Sequence, residues 1–214
     1  MPTFAKRSLV LPVTLLLLAA SHIRAQENDR KFELFVQGGP SFYTSGSNTV
    51  FFVGPPLTST TLQNSLGTTG RLFTGARFFF NPKEALEASY SYSPNRLQST
   101  FEIGPPFSFV FFDSTSMRVH QAQFNYVRYV PWGRRGRLEP FVTAGLGFVT
   151  YAIAGDRNTK FAGNFGGGVD VRLHPRWRLR AEFRDVVAER PEFGFVTGTA
   201  HNLVPSVGIA LKLW

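Results

Sequence analysis

Between residues 31 and 213 apolar and polar side chains alternate in segments of roughly ten residues, separated by clusters of Gly, Pro, Asn and Ser. A period of two sends neighbouring residues to opposite faces of a strand. The pattern therefore predicts eight strands, near 31–42, 70–80, 85–93, 117–129, 138–151, 160–173, 178–186 and 201–213. In the second, Leu72, Thr74, Ala76, Phe78 and Phe80 share a face opposite Arg71, Phe73, Gly75 and Arg77. The third sets Leu86, Ala88, Tyr90 and Tyr92 against Glu87, Ser89 and Ser91, and the fourth sets Ala122, Phe124 and Tyr126 against Gln121, Gln123 and Asn125. The same division continues through Val142, Ala144, Leu146 and Phe148, then Phe165, Val169 and Val171, then Leu179, Ala181 and Phe183, and last Leu203, Val207, Ile209, Leu211 and Leu213. Glycine falls mainly on the polar face, where it is expected to leave room for the long side chains of neighbouring strands in a narrow barrel.

Connections alternate in length. Asn81 to Glu84, Pro131 to Gly136 and His174 to Trp177 read as tight turns, whereas 43–69, 94–116 and 187–200 read as long loops and 152–159 as a shorter one. Eight strands joined in this way, with one continuous apolar face, predict an all-β, antiparallel, up-and-down transmembrane barrel. A water-soluble barrel with the apolar face inward is the architectural alternative. The glycine-rich, charged phase suits a tight lumen better than a wetted surface.

Residues 1–25 change the picture by supplying an address. Lys6 and Arg7 precede an apolar run from Leu9 to Ala20, and Ile23-Arg24-Ala25 precedes Gln26, the three parts of an export signal with cleavage expected after Ala25. Residues 26–214 then form one domain, and the net charge falls from +9 to +6 because Lys6, Arg7 and Arg24 leave with no acidic residue. The remaining basic residues are dispersed rather than gathered into a stripe, which argues against nucleic acid. There is no cysteine, so stability has to come from elsewhere than disulfides, and a closed ring without unpaired strand edges is one source.

Several segments carry a family resemblance: Gln37-Gly38-Gly39, the run from Glu139 to Gly147, Asn164 to Asp170, Arg180 to Asp185, and the C-terminal strand. Across nearly all of the mature chain these resemble the small outer-membrane barrels that include the membrane domain of OmpA, OmpX and opacity-type proteins. The resemblance implies an outer-membrane location, short turns toward the periplasm, longer loops outward, and recognition by the barrel-assembly machinery through the last strand. Here the outward phase of that strand ends at Leu213 and leaves Trp214 one step out of phase. The peptidoglycan-binding domain that OmpA-like proteins append is not expected.

Candidate chemistry lies on the inward phase. It collects Arg71, Arg77, Arg172, Arg180, Arg184 and Lys212 against Glu33, Glu87, Glu139, Asp170 and Glu182. Near balance in a lumen wide enough only for side chains predicts interlocked ion pairs that plug it, with a narrow ion channel as the alternative. No catalytic, metal or cofactor residues are assigned. Lipid-modifying barrels place His and Ser two apart on the outward face, but His120, His174 and His201 are followed at that distance by Ala122, Arg176 and Leu203. A lipid-active enzyme is therefore the lesser alternative. No acidic run has calcium-loop spacing, and the glycines at 166–168 lack nucleotide-loop spacing.

The long loops hold an echo: residues 52–58, FVGPPLT, resemble residues 102–108, EIGPPFS. Phe51, Phe52, Leu57, Phe107, Phe109, Phe111 and Phe112 around them are too aromatic for ordinary wetted loops. Either the loops extend the barrel as hairpins and bury these side chains, or they offer an apolar surface to an extracellular partner. Outer-membrane lipid is the other expected partner.

Overall fold

The computed structural model describes residues 31–44, 46–50, 60–103, 109–130, 137–190 and 198–213. The expected export signal, the turn expected at 131–136, Trp214, and Phe51, Phe52, Leu57 and Phe107 lie outside them. Ten strands form: β1 (Phe32–Tyr43), β2 (Gly46–Val50), β3 (Thr60–Leu66), β4 (Thr69–Asn81), β5 (Glu84–Ile103), β6 (Phe109–Tyr129), β7 (Leu138–Ile153), β8 (Asp156–Arg172), β9 (Trp177–Glu189) and β10 (Thr199–Lys212). Each of the eight segments read from the alternation is a strand, and those eight close into an antiparallel ring in the order β1-β4-β5-β6-β7-β8-β9-β10.

Register fixes the shape of the ring. Stepping across the pairs from Glu33 leads to Arg77, Glu87, Asn125, Gly145, Asn164, Val186, Asn202 and back onto β1 at Tyr43, ten residues beyond the start. An eight-stranded ring with that stagger has strands tilted by about 40° and an interior just filled by side chains.

The two faces are inverted relative to a water-soluble protein. Phe124 is 74% exposed on the outer wall, with Leu72, Leu86, Leu146, Phe161 and Phe183 exposed around it, while Glu33, Arg77, Asp170 and Arg180 are completely buried inside. This arrangement excludes the soluble alternative, which would bury the aromatics and wet the charges.

The glycines of β7 make room for a neighbouring side chain, as expected, a Cβ on Gly145 falling 2.1 Å from Asn125 Oδ1, and they also serve a closer fit. A Cβ on Gly147 would lie 2.1 Å from the Ala122 carbonyl oxygen, and one on Gly145 would lie 2.2 Å from that of Phe124. They let the β6 backbone itself approach, and so permit the wall to bend sharply there.

The connections depart most from expectation. Residues 94–103 and 109–116 are strand rather than loop: β5 and β6 stay paired from Glu84↔Arg128 to Ile103↔Phe109. Within 43–69, β3 runs beside the far half of β5 and β2 beside β3, so a four-stranded sheet, β2-β3-β5-β6, stands beyond the ring. The segment 152–159 is a tight hairpin. Ala154 and Gly155 both have positive φ, 47° and 101°, which is the two-residue turn whose twist matches the flanking strands.

One junction is weaker than the rest. Pairing of β1 with β10 lapses between Gly38↔Val207 and Phe42↔Leu203, the stretch in which Pro40 and Pro205 face each other and neither can donate a backbone hydrogen bond.

Candidate functional site, a cross-linked barrel lumen

Inward parity delivers polar side chains from all eight ring strands into the barrel interior, where a buried polar group left without a partner is costly. At the centre Arg180 donates from Nε and Nη2 to the two oxygens of Asp170, at 2.7 and 2.8 Å, and from Nη2 to Glu33 Oε2 at 3.0 Å. Glu33 Oε1 also accepts from Arg178 Nη1 at 2.7 Å, and Arg178 Nε lies 3.4 Å from Glu139 Oε2. Arg172 on the half-exposed rim caps Glu139 Oε1 at 2.5 Å. From Asp170 the chain of bonds passes through the Tyr129 hydroxyl, which donates to Asp170 Oδ2 at 2.7 Å and accepts from Arg77 Nη1 at 2.8 Å. Arg77 Nε donates to Glu87 Oε2 at 2.6 Å, and Glu87 Oε1 accepts from Arg184 Nη2 at 3.0 Å and Asn125 Nδ2 at 2.8 Å. Arg184 then pairs with Glu182, whose Oε2 accepts from Gln37 Nε2 at 3.1 Å; Gln37 Oε1 accepts from Ser206.

One connected network thus joins β1, β4, β5, β6, β7, β8, β9 and β10 with five arginines and five carboxylates. Planar guanidinium forks suit this work because Arg77, Arg178, Arg180 and Arg184 each reach two strands at once. Their faces rest on rings: Arg77 lies 4.5 Å from the centre of Phe141, Arg180 4.9 Å from Phe35 and Arg184 4.8 Å from Phe73.

All eleven residues expected in the lumen cluster belong to the inward phase, and nine of them, Glu33, Arg77, Glu87, Glu139, Asp170, Arg172, Arg180, Glu182 and Arg184, join the network. Arg71 is buried but lies over the Phe73 ring at 5.5 Å, and its Nε and Nη1 have no hydrogen-bond partner. Lys212 is half-buried and makes no ion pair among the described residues. Sequence reasoning missed Arg178 and Tyr129, the first a cation and the second the hinge of the network. Their signal was parity: Arg178 precedes Arg180 by two, and Tyr129 continues the inward series of Gln121, Gln123 and Asn125.

The lumen is not polar throughout. Toward the long hairpins it is filled by Met117, Val119, Val149, Tyr151, Ala162, Val186 and Ala188, and toward the short turns by Phe79, Ala85, Val127, Tyr129 and Phe141. An apolar layer therefore borders the charged layer on the long-hairpin side, whereas on the short-turn side apolar rings lie among the charges, which reach the rim at Glu139 and Arg172; the sequence suggested a polar plug alone.

Outside the lumen, Phe109, Phe111 and Phe112 are exposed on the far part of β6, Phe112 by 80%. Residues 109–116 pair with β5 on one side only, because β7 joins β6 no further than Met117↔Ile153. The hairpin expectation holds for this segment, and its described aromatics are not buried by it. On the outer wall His201 Nδ1 and Asp185 Oδ2 lie 2.8 Å apart. The Thr44 hydroxyl beside it is engaged with the His201 backbone. No group of three or more His, Asp or Glu that could hold a metal ion occurs among the described residues.

A closed eight-stranded ring with lipid-compatible walls and charges sealed inside defines a transmembrane β-barrel of the outer-membrane type. The chain belongs to the outer membrane protein beta-barrel domain family, whose model matches residues 13–208, and its location is the outer membrane. No curated protein matches it. Among solved structures it is similar to Neisserial surface protein A, with a TM-score of 0.59 at 12% identity over 85% of this chain and 96% of that one. Ail, the attachment invasion locus protein of Yersinia pestis, gives a TM-score of 0.43 at 11% identity over 85% and 98%. The outer membrane protease OmpT of Escherichia coli gives 0.44 at 6% identity over 89% and 99%.

Proposed function

We propose that the protein is a structural and surface-contact barrel, without catalytic activity, whose lumen does not conduct. The observation that carries this reading is the continuous network from Arg172 to Gln37. An ion could pass only by breaking several buried, charge-assisted bonds at once, and leaving even one buried charge unpaired costs about 3–5 kcal/mol. The apolar layer on the long-hairpin side adds a second obstacle. Outer-membrane lipid around the wall and the assembly machinery during biogenesis are its expected partners. The exposed aromatics of β6 supply the surface through which it meets an extracellular one.

Planar-bilayer recording of the refolded protein tests the closed lumen. Silence apart from brief, small events supports it, and stable, large conductance steps refute it in favour of a channel. For the contact surface, Phe107, Phe109 and Phe111 are changed to Ser together. Loss of surface adhesion with the heat-shifted gel band retained supports recognition, whereas loss of the folded band assigns these rings to packing.

A further inference from the structure

The outer wall carries a graded set of rows on β5 to β8, all on the lipid-facing parity. The row Leu86, Tyr126, Ala144, Phe165 is followed by Ala88, Phe124, Leu146, Gly163 and then by Tyr90, Ala122, Phe148, Phe161. Next comes Tyr92, His120, Thr150, Thr159, in which the Tyr90 hydroxyl and His120 Nδ1 are 2.6 Å apart and the two threonine hydroxyls are 2.9 Å apart. Above it stands Pro94, Arg118, Ala152, Arg157. Hydrocarbon-like side chains thus give way to an amphipathic girdle and then to arginine, the order of chemistries met on leaving a bilayer core for its headgroups.

The arginines are in an unusual position. Arg118 and Arg157 are both exposed and are separated by one strand that presents only Ala152 between them, a gap of about 10 Å between Cα positions. Arg96 on β5 is exposed on the same face one pair further along, opposite Ser116. Both Arg118 and Arg157 act electrostatically on the His120 ring below them. None of the three makes an ion pair among the described residues. Like charges this close on one sheet face repel, and they persist at low cost where an anion sits between them.

We propose that Arg118 and Arg157, flanking Ala152 and extended by Arg96, form a binding site for the phosphorylated headgroup of a lipid in the leaflet on the long-hairpin side. A phosphate oxygen pair in the notch over Ala152 meets a guanidinium fork from each side. The Thr150 and Thr159 hydroxyls and the His120 ring lie below it, and the acyl chains run down over Phe148 and Phe161. The second anionic source, free phosphate, lacks those chains and gains nothing from the apolar rows.

Native mass spectrometry of the refolded protein in nonionic detergent tests this, using dioleoyl phosphatidic acid, dioleoyl phosphatidylcholine and inorganic phosphate as probes. The wild type is expected to retain phosphatidic acid in preference to phosphatidylcholine, with little displacement by millimolar phosphate. Arg118→Gln with Arg157→Gln is expected to weaken retention about tenfold, the loss of two charge-assisted contacts partly replaced by water. Arg118→Lys with Arg157→Lys, which keeps the charge should the first pair fail to give the heat-shifted folded band, is expected to lose less. Equal retention of both lipids, unchanged retention by the glutamine pair, or complete displacement by inorganic phosphate overturns the proposal.

Discussion

Replacing Arg180 with methionine removes the most connected cation of the lumen while keeping an apolar side chain of similar length between the rings of Phe35 and Phe141. Glu33 keeps its 2.7 Å bond to Arg178, whereas Asp170 loses both of its bonds to Arg180 while keeping that of the Tyr129 hydroxyl and Arg77 at 3.9 Å. The network then holds four arginines against five carboxylates, with Asp170 completely buried. Breaking a buried pair from one side costs about 3–5 kcal/mol. With a urea slope of about 2 kcal/mol per molar, the unfolding midpoint falls by about 2 M. Adding Asp170→Asn removes the excess negative charge, so the double variant should recover about 2 kcal/mol relative to the sum of the single changes. The assay is urea unfolding in lipid micelles, followed by the fraction of protein that keeps the faster-migrating, unboiled gel band. A cost below about 1 kcal/mol for Arg180→Met, or strict additivity of the pair, would show that the network is not the tightly coupled unit described.

Other substitutions probe the wall and its turns. Gly147→Ala forces a methyl group against the Ala122 carbonyl and should destabilise by about 1–3 kcal/mol, seen as a lower folded fraction in the same gel assay. Leu146→Arg places a charge on the exposed outer wall and should cost about 2–4 kcal/mol in a bilayer if that position lies near the midplane; insertion into liposomes at full wild-type yield would contradict the lipid-facing assignment. Gly155→Ala puts a side chain at φ 101° and should cost on the order of 1–3 kcal/mol, read from equilibrium unfolding.

The ring and its phase were legible because a filled lumen and a lipid exterior impose opposite chemistries on adjacent residues: Leu72 beside Arg71, or Phe183 beside Glu182, leaves little choice of face. Strand ends beyond the ring were not legible, and Pro94 shows why. A proline reads as a strand breaker, yet β5 runs through it. Pairing of β4 with β5 reaches only Leu72↔Tyr92, and β3 takes over at Leu66↔Leu97, so Pro94 lies where that side of β5 changes partners. Its carbonyl accepts from the Thr69 hydroxyl on that side, and its nitrogen, turned the same way, has no strand to donate to. The lumen charges were visible one residue at a time. Their pairing was not, because which arginine meets which carboxylate follows from the stagger of the closed ring, and alternation within a single strand carries no information about stagger.

The lapse at Pro40 and Pro205 bears on how such a cylinder comes into being. An up-and-down chain can zip each strand onto its predecessor through a short connection, but the first and last strands are neighbours only after the sheet has curled fully round. That final union is interrupted midway, and it is reinforced from within, through Arg178 and Arg180 of β9 reaching past β10 to Glu33 and through Ser206 bonding Gln37. The inner ionic network thereby acts as a clasp: it draws the two terminal strands together across a joint that backbone pairing alone would leave easiest to reopen.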